Sequence, residues 1–180
     1  MVEHETPRGR IAFLRSLRSV REFQPDPIPP SVLDELLDVA RWSGSASNRQ
    51  PWELIVVRER GALEALAAVE GHAQHLAGAA AGIVLVMAGE RDEQETYDEG
   101  RLSERIMLAA KAYGIGSCIG WWRDGGSDAA KEMLGIPASR LVRTVLSLGY
   151  PAGPTPPRAA GRGRKSLGEL VYAERYGRAW

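Results

Sequence analysis

The sequence predicts a single α+β or α/β domain. Three short apolar segments, residues 54–57, 83–87 and 141–148, are typical of buried strands. At least five segments with helical periodicity separate or flank these strands. The chain has 180 residues, of which 44% are hydrophobic and 26% charged, so it is long enough to bury one core.

The first half of the chain contains three of the predicted helices. Residues 1–10 are polar and are expected to form a loose N-terminus. Apolar positions at helical spacing then predict helices at residues 11–17, 31–42 and 62–69. Ser31 is a suitable N-cap for the second helix, and four prolines between residues 25 and 30 exclude helix before it.

The second half contains the helix that is expected to be central. Helical patterns occur at residues 102–113, 127–134 and 167–175. Residues 114–122 are rich in glycine and are expected to form a loop that lets a planar ligand approach the backbone. Residues 90–105 carry seven acidic residues and three arginines, which predicts a solvated loop and helix face. Residues 152–180 form a basic tail with six Arg or Lys and two Glu, which suits a phosphate group.

Composition argues against several classes of protein. The 23 basic and 23 acidic residues balance, so no overall charge directs the chain to nucleic acid or to an anionic membrane. No window approaches the roughly 18 apolar residues of a membrane span, and no apolar signal segment is present, which predicts a cytoplasmic protein. Cys118 is the only cysteine, and His72 and His75 have no acidic or cysteine ligand beside them, so neither a disulfide nor a metal site is predicted.

Small and polar residues dominate residues 43–50, between the second helix and the first strand. Such side chains leave backbone N–H groups open to a flat or anionic ligand, while Asn48 and Gln50 offer hydrogen-bond donors and acceptors. Comparable stretches lie at residues 18–21 and 114–120. An ordinary connecting loop is the alternative explanation of each stretch alone. A shared ligand is therefore inferred only from their combination.

Five motifs occur in the order in which they are found in the FMN-dependent nitroreductase family, which the sequence resembles over residues 13–170. The motifs are Leu17-Arg18-Ser19-Val20-Arg21-Glu22-Phe23, Ser43-Gly44-Ser45-Ala46-Ser47-Asn48-Arg49-Gln50-Pro51-Trp52, Gly114-Ile115-Gly116-Ser117-Cys118-Ile119-Gly120, Leu148-Gly149-Tyr150-Pro151 and Arg162-Gly163-Arg164-Lys165. Each motif alone is weak, but five in sequence are specific. The resemblance implies a three-layer α+β fold, with a central mixed sheet flanked by helices, in an intertwined homodimer.

The resemblance also implies a reaction. FMN would be the cofactor and NAD(P)H the electron donor, and hydride would pass through flavin N5 to a nitroaromatic, a quinone or a similar electron-poor acceptor. The tail, residues 152–180, would pack on the partner subunit. No catalytic side chain is assigned, because the protein's task would be to hold the donor carbon roughly 3–3.5 Å from N5, exclude water and stabilise the reduced flavin.

A set of cofactor-binding residues follows from the same resemblance. Arg18, Ser19 and Arg21 would hold the pyrimidine edge of the flavin and the ribityl phosphate, with Arg21 near N1 and O2. Ile119 and Gly120 would lie near N5, where a backbone N–H can donate a hydrogen bond. Five residues would reach the flavin from the other subunit: Gly44, Ser45, Ala46, Asn48 and Gln50. In the tail, Arg164 with Arg162 or Lys165 would bind the phosphate.

Two residues depart from the family's motifs. Leu17 stands where the first motif has an arginine, and Gly44 stands where the second has a proline. Arg15 is not expected to replace the missing arginine, because two residues turn a helix by about 200°. The alternatives left open are a dehalogenating or flavin-fragmenting branch of the family and a non-catalytic flavin-binding dimer. Trp121 or Trp122 is a candidate wall of the substrate pocket.

Overall fold

The computed structural model describes residues 6–154 and 163–180. The helices are α1 (Pro7–Arg15), α2 (Pro30–Arg41), α3 (Arg60–Ala68), α4 (Asp92–Ala112), α5 (Asp124–Leu134) and α6 (Leu167–Leu170). The strands are β1 (Trp52–Val57), β2 (Ala81–Met87), β3 (Gly116–Trp121) and β4 (Leu141–Gly149). Among these described helices, none combines the length and the apolar character that a membrane crossing requires.

The four strands form one sheet in the order β1-β2-β4-β3. All three strand pairings are antiparallel, which corrects the expected mixed sheet. Within the described residues, parallel pairing is confined to the isolated bridge between Ser19 and Ser117. Every residue of β2 is buried. Burial on both faces is typical of parallel strands, but helices cover this antiparallel sheet on both sides as well, so burial does not decide strand direction.

Alternation along β2 divides the core into two halves. Ile83 and Leu85 pack in one cluster with residues of α2 and α4, whereas Val84 and Val86 pack in a second cluster with residues of α3 and α5. Successive side chains of a strand point to opposite faces, so one apolar strand supplies both clusters. The sheet therefore lies between two helical layers, and the expected three-layer α+β fold is confirmed.

Helix α1 begins and ends earlier than the sequence pattern predicts. Thr6 caps it by accepting a 3.0 Å hydrogen bond from the Gly9 N–H, and Pro7 occupies the first turn, where its missing N–H costs nothing. Residues 7–10 are therefore helical and not loose. The helix ends at Arg15, so the chain has left helical geometry before it reaches Leu17.

Helix α4 begins ten residues before the predicted central helix and includes most of the acidic run. Glu95, Asp98 and Glu99 are buried, which corrects the expected solvated face. Glu95 accepts hydrogen bonds from the N–H groups of Gly89, Glu90 and Arg91, so it satisfies the backbone at the start of the helix. These carboxylates are structural groups and not surface charge.

Strand β3 is formed by the glycine-rich segment that was expected to be a loop. A side chain at Gly116 would lie 2.7 Å from Val20, and one at Gly120 would lie 3.1 Å from the Ala73 side chain. Glycine is therefore needed here because neighbouring segments approach the strand closely. Its low strand propensity conceals the strand in the sequence.

Candidate active site

Strand β3 is an edge strand, and over the described residues no neighbouring segment pairs with the Ile119 N–H at the middle of its outer edge. At one end, Val20 N–H donates to the Ser117 carbonyl at 2.9 Å, and at the other His72 N–H donates to the Trp121 carbonyl at 2.7 Å. In an antiparallel pair, every second residue directs its N–H and C=O away from the partner strand. Ile119 lies midway between Ser117 and Trp121, so its backbone faces the same open edge.

A cleft of about 790 Å³ lies on one side of Ile119, and we call it the arginine cleft. Arg15 and Arg18 line it from the end of α1, and Arg164 lines it from the tail. Ser19 also lines this cleft. The cleft therefore brings together residues that are 145 or more positions apart in sequence.

Over the residues that the structure describes, the arginine cleft carries an excess of positive charge, since its lining has three arginines and one carboxylate, that of Glu104. Over residues 6–154 and 163–180, no ion pair joins Arg15, Arg18 or Arg164 to a carboxylate. Arg18 Nη1 instead donates to the carbonyls of Arg15 at 2.8 Å and Leu17 at 2.6 Å, where α1 ends. Guanidinium groups without a carboxylate partner form a site for an anion, and phosphate matches their geometry.

A second cleft, of about 710 Å³, lies on the other side of Ile119, and we call it the tryptophan cleft. Its lining includes Arg21, His72, His75 and Trp121. Since Ile119 lines both clefts, they form adjoining parts of one surface along the edge of the sheet. A ligand with an anionic end and a planar end can lie across Ile119 and enter both.

His75 is held against the sheet beneath the tryptophan cleft. Its Nδ1 lies 2.7 Å from the hydroxyl of Ser147, which is completely buried. Burial lowers the pKa of His75, and the positive charge of Arg21 lowers it further, against hydrogen bonds to the backbone at Ile119 and His72 that raise it. Burial also raises the pKa of the Cys118 thiol, against smaller opposing effects of Arg21 and Ser19. The imidazole and the thiol are therefore favoured in their neutral forms.

We predict that His75 makes stability depend on pH. Because its pKa in the folded protein lies below the ordinary value of 6.5, the unfolded chain binds more protons at lower pH. The free energy of unfolding should therefore fall as the pH decreases through 6.5. Urea unfolding at several pH values should show a smaller fall for His75→Gln than for the wild type. His72→Gln, which changes an exposed histidine, is the matched control, and equal pH dependence of all three proteins would contradict the prediction.

Four of the residues implied by the resemblance meet in the arginine cleft: Arg18, Ser19, Ile119 and Arg164. Arg21 lies in the adjoining tryptophan cleft. Gly120 is buried, and the position of its absent side chain faces His72 and Ala73, which gives it a packing role. Arg162 falls outside the described residues, whereas Lys165 is exposed in the tail.

The segment at residues 43–50 is positioned by α4 and by its own hydrogen bonds. Ser45 Oγ accepts the Gln50 N–H at 2.8 Å, and Gln50 Nε2 donates to the Asn48 carbonyl at 3.2 Å. Ala46 N–H points to Asp98 Oδ2 at 3.4 Å. Gly44, also in this segment, lies against the Arg101 side chain of α4.

This segment is also strained. Ser47, Asn48 and Gln50 have φ values of 52°, 53° and 49°, in a region that residues other than glycine rarely adopt. Such strain is retained where the surrounding structure imposes it, often at functional sites. None of Gly44, Ser45, Ala46, Asn48 and Gln50 is among the described residues that line the two clefts beside Ile119.

The structure changes the prediction for Arg15 and narrows the choice between Trp121 and Trp122. A helix that continued to Leu17 would direct Arg15 away from the position of the missing arginine. Since α1 ends at Arg15, the side chain lines the same cleft as Arg18. Trp122 is buried and its Nε1 donates to the Leu66 carbonyl at 3.2 Å, so only Trp121 remains a candidate pocket wall. Apart from their spacing of three residues, no sequence signal indicates that His72 and His75 border the site.

The protein thus has a three-layer α+β fold with arginines lining a cleft at an edge strand, and guanidinium groups of this kind suit a small anionic ligand. Residues 14–96 match the sequence model of the Nitroreductase family. A protein of Archaeoglobus fulgidus named "Putative NADH dehydrogenase/NAD(P)H nitroreductase" is 37% identical over 148 residues, which cover 78% of this chain and 84% of that protein. The structure of an FMN-dependent nitroreductase from Clostridium difficile has a TM-score of 0.82 at 23% identity, covering 92% of this chain and 99% of that chain. The chain belongs to the nitroreductase family.

Proposed function

We propose that this protein is an FMN-dependent NAD(P)H oxidoreductase that passes hydride to nitroaromatic, quinone or similar electron-poor acceptors. The observation that carries the proposal is a set of arginines that form no ion pair with a described carboxylate and that lie beside the Ile119 N–H on the edge of the sheet. A flavin mononucleotide has the matching form, because its phosphate is anionic and its ring system is planar. The Archaeoglobus relative, whose name includes NAD(P)H nitroreductase, supports the nicotinamide donor.

The phosphate is assigned to the arginine cleft. Arg18 and Arg164 reach it from opposite ends of the chain, and Ser19 adds a hydroxyl donor. Arg15 supplies the third guanidinium that Leu17 cannot, because it lines the same cleft from the last turn of α1. Three guanidinium groups, those of Arg15, Arg18 and Arg164, compensate for the arginine that Leu17 replaces. Their charge favours FMN over riboflavin, which has no phosphate.

The planar end is assigned to the surface between Ile119 and Arg21. Bound FMN supplies hydride transfer at N5 and stores the electron pair. The Ile119 N–H faces the open edge and can donate a hydrogen bond there, and Arg21 holds positive charge in the adjoining cleft. A fixed cation stabilises negative charge that develops nearby. The protein contributes position and charge and makes no covalent bond.

A homodimer completes the proposed site. An apolar groove lies between α1, α2 and α4, and its lining includes Ser43 and Arg101, which border the strained segment. A second chain covering this groove would contact residues 43–50, which brings that segment into the assembly. The tail also exposes large apolar side chains that a second chain can bury, namely Leu167, Leu170, Tyr176 and Trp180. An interface of the order of 2,000 Å² is expected of such a permanent dimer.

Three measurements on the purified protein test the proposed function. The purified protein should be yellow, sediment as a dimer, and oxidise NADPH or NADH in the presence of menadione with ping-pong kinetics. A colourless monomer that takes up no added FMN would refute the proposal. A yellow dimer that oxidises neither nucleotide with any acceptor would instead support the non-catalytic flavin-binding alternative.

A further inference from the structure

The ring of Trp121, which lines the tryptophan cleft, contacts two basic side chains. Its centroid is 4.6 Å from that of the His72 ring, with an angle of 49° between the planes, and Arg123 Cζ lies 5.0 Å from its centroid. Arg123 Nη2 is also 3.4 Å from His72 Nε2. The three side chains therefore form one cluster, which we call the 72/121/123 cluster. Trp121 nevertheless remains 40% exposed, so its ring is available to a ligand.

Charge around this cluster is predominantly positive. Arg21 lines the cleft itself, and Glu22 is the only carboxylate among the described residues that line it. Among the side chains that the structure describes, no carboxylate forms an ion pair with Arg123. An aromatic face beside cations without carboxylate partners favours a ligand that is both planar and anionic, because stacking and charge attraction then act together.

We propose that the 72/121/123 cluster is a specificity site for a planar aromatic group that carries a negative charge. The proposal rests on the proposed function, since the cleft adjoins Ile119, where electron transfer is assigned. Trp121 stacks on the aromatic group, and Arg123 attracts its anion. Two reactants have this chemistry: an electron acceptor with an aromatic carboxylate, and the phosphorylated adenosine of NADPH. Nitrobenzene carries no charge, and NADH, although its pyrophosphate is anionic, lacks the adenosine 2′-phosphate of NADPH.

A binding measurement that needs no turnover tests the site. Isothermal titration of the purified protein with benzoate and with uncharged benzamide should show tighter binding of benzoate by about 5-fold, the scale of one exposed ion pair. Arg123→Gln should remove this difference. Arg140→Gln is the matched control, because Arg140 pairs with Glu53 on β1, at the opposite edge of the sheet from β3. Equal behaviour of the two variants, or no preference for benzoate in the wild type, would overturn the proposal.

Kinetics with two pairs of reactants then identify the source of the anion. If the acceptor is bound here, Arg123→Gln should lower kcat/KM for 4-nitrobenzoate but not for nitrobenzene, again by about 5-fold. If the electron donor is bound here, the loss should appear with NADPH and not with NADH. Equal losses for the charged and uncharged members of both pairs would contradict the assignment. An absence of turnover in the wild type would count against the proposed function alone, since benzoate binding does not depend on it.

Discussion

Replacing Arg143 with methionine should lower the free energy of unfolding by about 3 kcal/mol. Arg143 Nε donates to Glu99 at 2.6 Å, Nη1 to Asp92 at 2.6 Å, and Nη2 to Thr96 at 2.9 Å. Although burial disfavours the charged guanidinium, its hydrogen bonds with Glu99 and Asp92 raise the pKa of Arg143 above its ordinary value. One side chain of β4 thus connects the sheet to three positions on α4.

The large effect comes from the carboxylate that would be left behind. The Glu99 side chain is 5% exposed, and within the described structure its Oε1 already lacks a hydrogen-bond partner. Without Arg143, a buried negative charge would have no compensating cation, and such a charge destabilises the folded state strongly. Denaturant unfolding followed by circular dichroism measures the loss.

Two further variants separate this cause from a general effect of removing arginine. Arg140→Met breaks the exposed pair with Glu53 and should cost less than about 1 kcal/mol. Adding Glu99→Gln to Arg143→Met should restore at least about 1 kcal/mol, because the neutral amide is cheaper to bury. If Arg143→Met and Arg140→Met destabilise equally, the buried charge is not the cause.

Arg164→Ala should weaken FMN binding by about 1–3 kcal/mol, which corresponds to roughly 5- to 150-fold in Kd. Arg164 lines the arginine cleft with Arg15 and Arg18 and makes no ion pair with a described carboxylate, so its charge is available to a phosphate. Riboflavin lacks the phosphate and should bind the variant and the wild type almost equally. Flavin fluorescence during titration of the flavin-free protein measures both affinities.

Arg175→Ala is the matched control for Arg164→Ala. Both arginines are exposed residues of the tail, but Arg175 does not line the arginine cleft. The control should leave the FMN and riboflavin affinities unchanged. If Arg164→Ala weakens both flavins equally, Arg164 does not bind the phosphate, and the orientation of the ligand across Ile119 has to be reversed or abandoned.

Local patterns predicted most of the helices and three of the four strands. The second helix is confirmed by its apolar stripe, which acts locally, but it begins at Pro30 with Pro29 and not Ser31 as its N-cap. Strand β3 was missed because its glycines lower strand propensity, and the reason for them lies in Val20 and Ala73, which are distant in sequence. The burial of the acidic run was missed for a similar reason, because Arg143, which pairs with Glu99, lies on β4, far away in sequence.

The candidate site was also predicted only in part from the sequence. The ordered motifs were enough to identify the family and to name Arg18, Ser19, Ile119 and Arg164, which the fold brings into one cleft. The early end of α1 and the position of the 72/121/123 cluster were decided only by tertiary structure.

The sequence by itself determined the fold class, the family and the chemical types of the residues at the site. Periodicity and motifs are visible in short stretches of the chain, so they need no knowledge of tertiary contacts. Only the tertiary structure decided that Arg15 shares a cleft with Arg164 and that Trp121 faces outward while Trp122 is buried. The physical reason is that pairing across a sheet and packing between layers join residues far apart in sequence, and no local pattern records which ones meet.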